Sequence, residues 1–254
     1  MIRLANLSSK LPVALLVVAL AMLPIISALA GRSASPNGLK LTQRSKTYGT
    51  QDVYISPLGI KVINEKMGRG MICGPPDWKV INWCTRTNSY AIEDYKKWKP
   101  YLSMSDQVFS GFDIREVPFE KPTVGKVANQ PTRHYKSPQA FAQEMLYRHA
   151  HRTSPGAAPQ VVHFDLMEAP SMPAQIGALM ERSYQTPEVT GVPLRVSYLN
   201  CNNENTIELD TISLTPIELT KSDYVFPKNF KKMQTDAEIY RPPSNQDLKD
   251  LMGM

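Results

Sequence analysis

Short runs of β-branched and aromatic residues alternate with turn residues between Val53 and Trp98. Pro-Leu-Gly, Gly-Arg-Gly, Gly-Pro-Pro-Asp and Arg-Thr-Asn-Ser interrupt these runs at close intervals, a pattern typical of antiparallel strands joined by tight turns. An isolated ribbon of hairpins is marginal in water, so one of its faces must be covered. We place Ile60, Val62, Val80 and Ile92 on that face. The pattern predicts five strands, at 51–56, 58–64, 69–73, 78–84 and 89–95.

Two later segments carry apolar residues at helical spacing. The first helix begins at Ser137 and Pro138, an N-cap residue followed by proline at the first helical position. Phe141 and Met145 recur on one of its faces, and Pro155-Gly156 ends it. The second helix is predicted over 171–184, where one stripe is formed by Met172, Ile176, Leu179 and Met180.

Strands are predicted between and after the helices, at 161–166, 192–199 and 206–214. In the last of these the apolar residues change phase at Thr211, which predicts a bulge or a strong bend. Antiparallel strands with two helices inserted predict an α+β fold in which the helices cover one face of a curled sheet. The paired carboxylates alternate with apolar residues and are predicted on a solvated outer face: Glu93, Asp94, Glu208 and Asp210.

Three segments lack such periodicity. Residues 31–47 are small and polar, and we expect them to trail from the domain as a flexible segment. Residues 99–135 contain recurring prolines and predict a long surface insertion with one short strand around 115–119. Residues 241–254 form a C-terminal tail, which leaves one domain at 48–240.

The first thirty residues have the three-part layout of a secretory signal peptide. Arg3 and Lys10 precede an apolar run over 11–26, and the small residues Ala28 and Ala30 follow it. We therefore predict cleavage after Ala30 and a protein exported to the periplasm or the extracellular space. An uncleaved leader would instead anchor the protein to the membrane.

Charge and cysteine content narrow the class of protein. The chain has a net charge of +6, and loss of the leader leaves 27 basic and 23 acidic residues, a net charge of +4. The charges are scattered, so no basic face for nucleic acid is predicted.

In an oxidising compartment, three cysteines suggest one disulfide and one free thiol. Strand register disfavours Cys73 with Cys84, and we favour Cys84 with Cys201.

Catalytic motifs are absent from the sequence, so we predict neither an enzyme nor a cofactor. His149, His151, His163 and Asp165 are the residues that could form a zinc site. Residues two apart on a helix point in different directions, so His149 and His151 would not bind one ion, and no metal site is predicted. A hydrolase or metal enzyme that uses these histidines is the least favoured of three hypotheses.

Several short segments together resemble a known family. These are the strands YISPLGIKVIN, ICGPPDWKVINW and SYAIEDY, the VPLRVSY strand after Thr190-Gly191 and the closing FPKNFKKM. With the leader, they resemble the periplasmic lipoprotein-carrier superfamily with the LolA-like fold, over the mature domain apart from 99–135. The resemblance implies an incomplete β-barrel whose concave face is closed by helices over an apolar cavity for lipid or lipoprotein acyl chains. The matching positions are Trp78, Tyr90, Pro193-Leu194-Arg195 and Phe226-Pro227.

The first functional hypothesis is an exported carrier that holds an acyl chain, a lipoprotein or another hydrophobic ligand between sheet and helices. Methionine in the helix stripes suits such a site, although a Met, Leu and Ile stripe is more often plain core. The alternative is an envelope-associated structural or interaction module without a ligand, in which 99–135 meets a membrane-associated partner protein. The predicted ligand-binding residues are Ile60, Val62, Val80, Ile92, Leu194 and Val196 from the sheet and Phe141, Met145, Ile176 and Met180 from the helices.

Overall fold

One open sheet of twelve strands organises the protein. The computed structural model describes residues 36–46, 48–100, 117–151, 159–169, 171–184, 191–200 and 202–240. The strands are β1 Gly38–Ser45, β2 Gly49–Ser56, β3 Gly59–Asn64, β4 Arg69–Cys73, β5 Lys79–Cys84, β6 Ser89–Asp94, β7 Thr123–Val127, β8 Gln130–Lys136, β9 Pro159–Met167, β10 Val192–Asn200, β11 Asn205–Ile217 and β12 Lys231–Lys232. Their order in the sheet is β12-β6-β5-β4-β3-β2-β1-β11-β10-β9-β8-β7. All neighbours are antiparallel except β12 and β6.

Two helices pack on the sheet, and a third is a single turn. They are α1 Gln139–Ala150, α2 Ala174–Tyr184 and α3 Asp236–Ile239, and a 3-10 turn occupies Lys221–Tyr224. The first helix packs against β9 and the second against β10. Buried residues of α2 recur at three- and four-residue spacing, so its apolar stripe faces the sheet. The predicted α+β class with a curled antiparallel sheet is confirmed. None of the helices in the described ranges has the length and apolar character needed to cross a membrane.

The five-stranded meander is confirmed in β2 to β6. Each strand begins and ends within two residues of its predicted bounds. Part of its inner face is a continuous apolar surface because cross-strand neighbours are in register: Val53 lies opposite Leu41 and Val62, and Val62 lies opposite Met71. This surface is the part of the core that the C-terminal end of α2 covers.

The expectation that residues 31–47 trail from the domain is wrong from Gly38 onwards. This part forms β1, which pairs with β2 on one side and with β11 on the other. Leu39 and Leu41 pack into the core, and the buried Gln43 amide donates hydrogen bonds to the Pro193 carbonyl and to Thr211 Oγ1. Half of the inward positions of β1 are polar, so its sequence resembles that of a linker. The hydrogen bonds that make these residues suitable for a buried strand come from partners distant in the sequence.

The prediction that 99–135 is one surface insertion is also corrected. Residues 101–116 lie outside the described ranges, but β7 and most of β8 belong to the sheet and form its terminal hairpin. The short strand expected at 115–119 is absent from its described part, 117–119. The hairpin was missed because two prolines interrupt the pattern. Pro122 lies just before β7, and Pro131 lies in the part of β8 that pairs with β7 but not with β9, where a missing N–H is tolerated.

The predicted bulge in β11 is confirmed, and the strand contains a second bulge as well. One shift in the pairing with β1 leaves Ile212 as the extra residue, next to the predicted phase change at Thr211. A second shift, in the pairing with β10, leaves Glu208 extra and turns it inward. The prediction that Glu208 is solvated is therefore wrong, since its side chain is 0% exposed. Burial raises the pKa of Glu208, and Tyr198 donates a 3.4 Å hydrogen bond to its Oε1.

The grouping of Ile92 with the inner face is wrong. Ile92 lies opposite Ile81, whereas the core residue Val80 lies opposite Glu93, so alternate side chains of β6 point to opposite faces. Glu93 is consequently on the inner face, where a solvated position had been predicted. On the outer face the neighbouring Tyr90 ring packs against Phe226, with centroids 5.0 Å apart.

Cys73 and Cys84 are buried free thiols, and they are not joined to each other, as the register predicted. Because Cys84 is a free thiol, the favoured pair of Cys84 with Cys201 is not formed in this structure, and Cys201 itself lies outside the described ranges. Burial is the main cause that raises the pKa of Cys73 to about 12, which suppresses its thiolate.

We expect Cys73 and Cys84 to resist modification in the folded protein. In a Cys201→Ser background, a thiol-specific disulfide reagent at pH 8 should label them roughly 100-fold or more slowly than in denaturant, because labelling requires opening of the core. Reaction of either thiol in the native state at the denatured rate would contradict the burial of these strands.

Candidate functional site

A cavity lies on the inner face of the meander, next to the C-terminal end of α2. It encloses about 100 Å³ and opens to solvent. The wall contributed by the meander comes from β2 to β5, and the remaining wall comes from α2, the residues after β6 and the region of α3. The lining residues are Tyr48, Gln51, Val53, Ile60, Val62, Asn64, Met67, Arg69, Gly70, Met71, Asn82, Trp98, Pro100, Met180, Ser183, Tyr184, Asp236 and Tyr240.

One part of the cavity is apolar. The sheet contributes Val53, Val62 and Met71 from three successive strands, which the antiparallel register brings side by side. Met180 and Trp98 complete this wall, and both are almost fully buried. The thioethers of the two methionines can adjust to irregular apolar shapes, so this wall can accept an apolar group.

The other end of the cavity is polar, and most of its groups are already hydrogen-bonded. Gln51 Nε2 donates to the Tyr184 hydroxyl, which donates to Gln43 Oε1 at 2.9 Å. Asn64 Nδ2 donates to the carbonyl of Tyr48. These hydrogen bonds fix the orientation of the polar groups that shape this end of the cavity.

Arg69 is the exception at this end. It begins β4 opposite Asn64, and its guanidinium carbon lies 4.0 Å from the centroid of the Tyr240 ring. Within the described part of the chain, no carboxylate forms an ion pair with it. The stacked ring orients the guanidinium and leaves its donors able to bind an anionic group at the cavity.

Asp236 is the buried acid of the site. It is 6% exposed, and its Oδ1 has no hydrogen-bond partner. Burial is the largest cause that raises the pKa of Asp236 to about 7, and the nearby Glu93 raises it further. Asn82, Arg69 and Trp98 oppose this shift. Near neutral pH the carboxyl therefore exchanges between a protonated and a charged form inside the cavity wall.

The ten predicted ligand-binding residues are divided between three locations. Ile60, Val62 and Met180 line the cavity. Ile92 lies on the opposite face of the sheet. The remaining six are buried in the core away from the cavity: Val80, Phe141, Met145, Ile176, Leu194 and Val196.

The polar residues of the cavity were missed by the sequence analysis. Arg69 was predicted correctly as the first residue of the strand 69–73, but no binding role was assigned to it because the Gly-Arg-Gly segment was interpreted as a turn signal. Asp236 begins a one-turn helix that has no apolar periodicity. A signal for Arg69 does exist, because it lies two residues before Met71 and therefore on the same face of the strand.

The histidines considered for zinc do not meet. His151 lies at the end of α1, where its Nδ1 donates to the Tyr147 carbonyl at 2.7 Å, and the side chain of His149 is outside the described atoms. His163 and Asp165 lie on β9, beside His134 of β8. In the ranges that the structure covers, no group of three or more His, Cys, Asp or Glu side chains is arranged to hold a metal ion.

Several solved structures are distantly similar to this chain. No protein-family model and no curated protein matches the chain. An uncharacterized conserved protein from Thermus thermophilus is similar at 11% identity and a TM-score of 0.34, over 86% of this chain and 99% of that one. The MucA/MucB complex of Pseudomonas aeruginosa is similar at 10% identity and a TM-score of 0.31, over 76% and 57%. A structure of MucB is similar at 11% identity and a TM-score of 0.30, over 84% and 65%.

Proposed function

We propose that the chain is an exported binding protein whose cavity takes the apolar end of an amphipathic ligand with an anionic head. The observation that carries this proposal is the position of Arg69, a guanidinium without an ion pair in the described ranges, which lines a cavity that also has an apolar wall. The leader-like first thirty residues support export. A fatty acid, or an acyl chain next to a phosphate or carboxylate, has this combination of groups.

The size of the cavity limits what it can enclose. Pockets for whole small molecules hold roughly 300–1,000 Å³, whereas a closed apolar cavity of about 150 Å³ already binds benzene. About 100 Å³ therefore accommodates a chain end rather than a complete acyl chain. We propose that the rest of such a ligand lies outside this cavity, with its anionic group at Arg69.

The same small volume favours a second candidate function, an interaction module. A cavity of this size fits one apolar side chain of a partner protein, which is how central anchor residues of protein interfaces are held. Arg69 would then pair with an acidic residue of the partner. This candidate corresponds to the envelope-associated module considered from the sequence.

Decanoate and decanol separate the contributions of the charge and of the apolar wall. Titrated against the full chain and followed by tryptophan emission, since Trp98 lines the cavity, decanoate should bind more tightly than decanol. Arg69→Gln should weaken decanoate binding by roughly 10-fold or more, because a hydrogen bond to a charged group contributes about 1.5–3 kcal/mol. Decanol binding should be unchanged in this variant.

Arg86→Gln is the matched control, since Arg86 is an exposed arginine that donates to the Lys66 carbonyl away from the cavity. It should bind both probes as the wild type does. Absence of saturable binding of either probe by the wild type would exclude carriage of an amphipathic ligand and leave the interaction module. Equal weakening by Arg69→Gln and Arg86→Gln would exclude a specific role for Arg69.

A further inference from the structure

A histidine pair lies on the outer face of the sheet, on the side opposite the core. His134 of β8 and His163 of β9 are diagonal neighbours, with their rings stacked at a centroid separation of 5.4 Å. The alternate residues Tyr135 and Phe164 point inward and are buried. His134 is 30% exposed, so the pair is accessible to solvent.

Asp165 fixes the orientation of one of the two rings. A carboxylate only accepts hydrogen bonds, so the 3.0 Å contact from His134 Nδ1 to Asp165 Oδ1 requires the proton on Nδ1. Thr132 Oγ1 donates to the same oxygen at 3.1 Å, which holds the carboxylate in place. In neutral His134 the Nε2 atom therefore carries a lone pair, and this lone pair is directed towards His163.

We propose that His134 Nε2 and His163 Nδ1 together bind a divalent transition metal ion such as zinc. The two nitrogens are 3.3 Å apart. Two imidazole nitrogens, each 2.0–2.1 Å from a tetrahedral zinc ion, lie about 3.3–3.4 Å from each other. The separation of the two nitrogens therefore matches that of two histidine ligands of one ion.

The surroundings of the pair match the chemistry of such a site. A carboxylate that accepts from the other ring nitrogen of a metal-bound histidine is the usual outer partner, and Asp165 occupies that position. Imidazole suits zinc, copper and nickel rather than calcium or magnesium. Two protein ligands leave the remaining positions of the ion for water or for a group from another molecule, so the site is open.

Without a metal, the 3.3 Å contact is a hydrogen bond from one ring to the other. In neutral His163 the proton lies on Nδ1 and is donated to His134 Nε2. Metal binding moves this proton from Nδ1 to Nε2 of His163, so the imidazole ring remains neutral when it binds the ion. The positive charge of Arg195, on the adjacent strand β10, would repel a metal ion. Its guanidinium lies 2.8 Å from the Asp210 carboxylate, so part of this charge is compensated.

Zinc titration of the chelator-treated full chain tests the site. Isothermal calorimetry at pH 7.5 should give one zinc ion per chain, and His163→Ala or His134→Ala should weaken binding at least 10-fold. His151→Ala is the matched control and should bind as the wild type does, since His151 is an exposed histidine on another element. Asp165→Asn should weaken binding roughly 10- to 100-fold at unchanged stoichiometry.

Copper(II) provides a second measurement, one that remains informative if one variant does not fold. The electron paramagnetic resonance spectrum of the copper-loaded wild type should show two imidazole nitrogen couplings, and that of His163→Ala should show one. Absence of stoichiometric zinc binding, or binding that persists in His163→Ala but is lost in His151→Ala, would overturn the proposal. The outcome is independent of the decanoate experiment, because the two sites lie on opposite faces of the sheet.

Discussion

Replacing Gly59 with alanine should lower the free energy of unfolding by about 3–5 kcal/mol. Gly59 begins β3 immediately after the turn from β2, with φ at +135°, a region that side chains of L-residues rarely adopt. An added Cβ would overlap the carbonyl oxygen of Cys73 and approach Gly74 Cα to 2.9 Å. Both neighbours are backbone atoms of the adjacent hairpin, so neither can move aside as a flexible side chain would.

Gly49→Ala is the control that separates conformational strain from steric overlap. Gly49 also has a positive φ, at +73°, but no atom lies within 4 Å of the position that its Cβ would occupy. Gly49→Ala should lower the free energy of unfolding by only about 1–2 kcal/mol, which is the cost of a left-handed conformation. Urea unfolding of both variants, followed by circular dichroism, measures the difference. Equal destabilisation would mean that the Cys73 carbonyl is not where the structure has it.

Replacing Asp236 with asparagine should flatten the pH dependence of stability between pH 4 and 7. In the folded state the pKa of Asp236 is about 7, above its ordinary value of 3.8. Between these values the folded chain retains a proton that the unfolded chain has released, so unfolding becomes easier as the pH rises. The raised pKa corresponds to a loss of up to about 4 kcal/mol from pH 4 to pH 7 in the wild type.

Asp236→Asn removes this loss, because the amide is neutral at every pH in the range. We therefore expect the variant to be the more stable protein at pH 7 and above, and to approach the wild type near pH 4. The exposed Asp77→Asn is the control and should leave the difference between the two pH values unchanged. If the free energies of unfolding of the wild type and of Asp236→Asn, measured in urea, changed with pH in parallel, the raised pKa of a buried Asp236 would be contradicted.

The elements that the sequence predicts well are those whose partners are local. Each strand of the meander pairs with the next strand along the chain. Apolar alternation and turn residues are therefore enough to predict where these strands lie and which strands pair. Both long helices are predicted for the same reason, since their stripes and boundaries are local patterns. By contrast, β1 was missed because its second partner, β11, lies near the other end of the described chain.

The candidate sites depend on contacts that no local pattern contains. Whether Glu208 faces water or the core depends on one extra residue in the pairing with β10. His134 and His163 are on different strands, and only the register of β8 with β9 makes them neighbours. The alternation in β6 placed Ile92 on the wrong face because Val80 and Ile92 are not opposite each other. Register between strands is therefore the information that the sequence alone lacked.

The position of β1 between β2 and β11 has a consequence for the order of events during synthesis. A ribosome completes the meander early, and its hairpins can close while translation continues, but the other edge of β1 has no neighbour until β11 has been made. Until then the hydrogen-bonding groups along that edge are free to pair with any strand that approaches. For most of the synthesis of the chain, that edge is therefore open to pairing with a wrong partner.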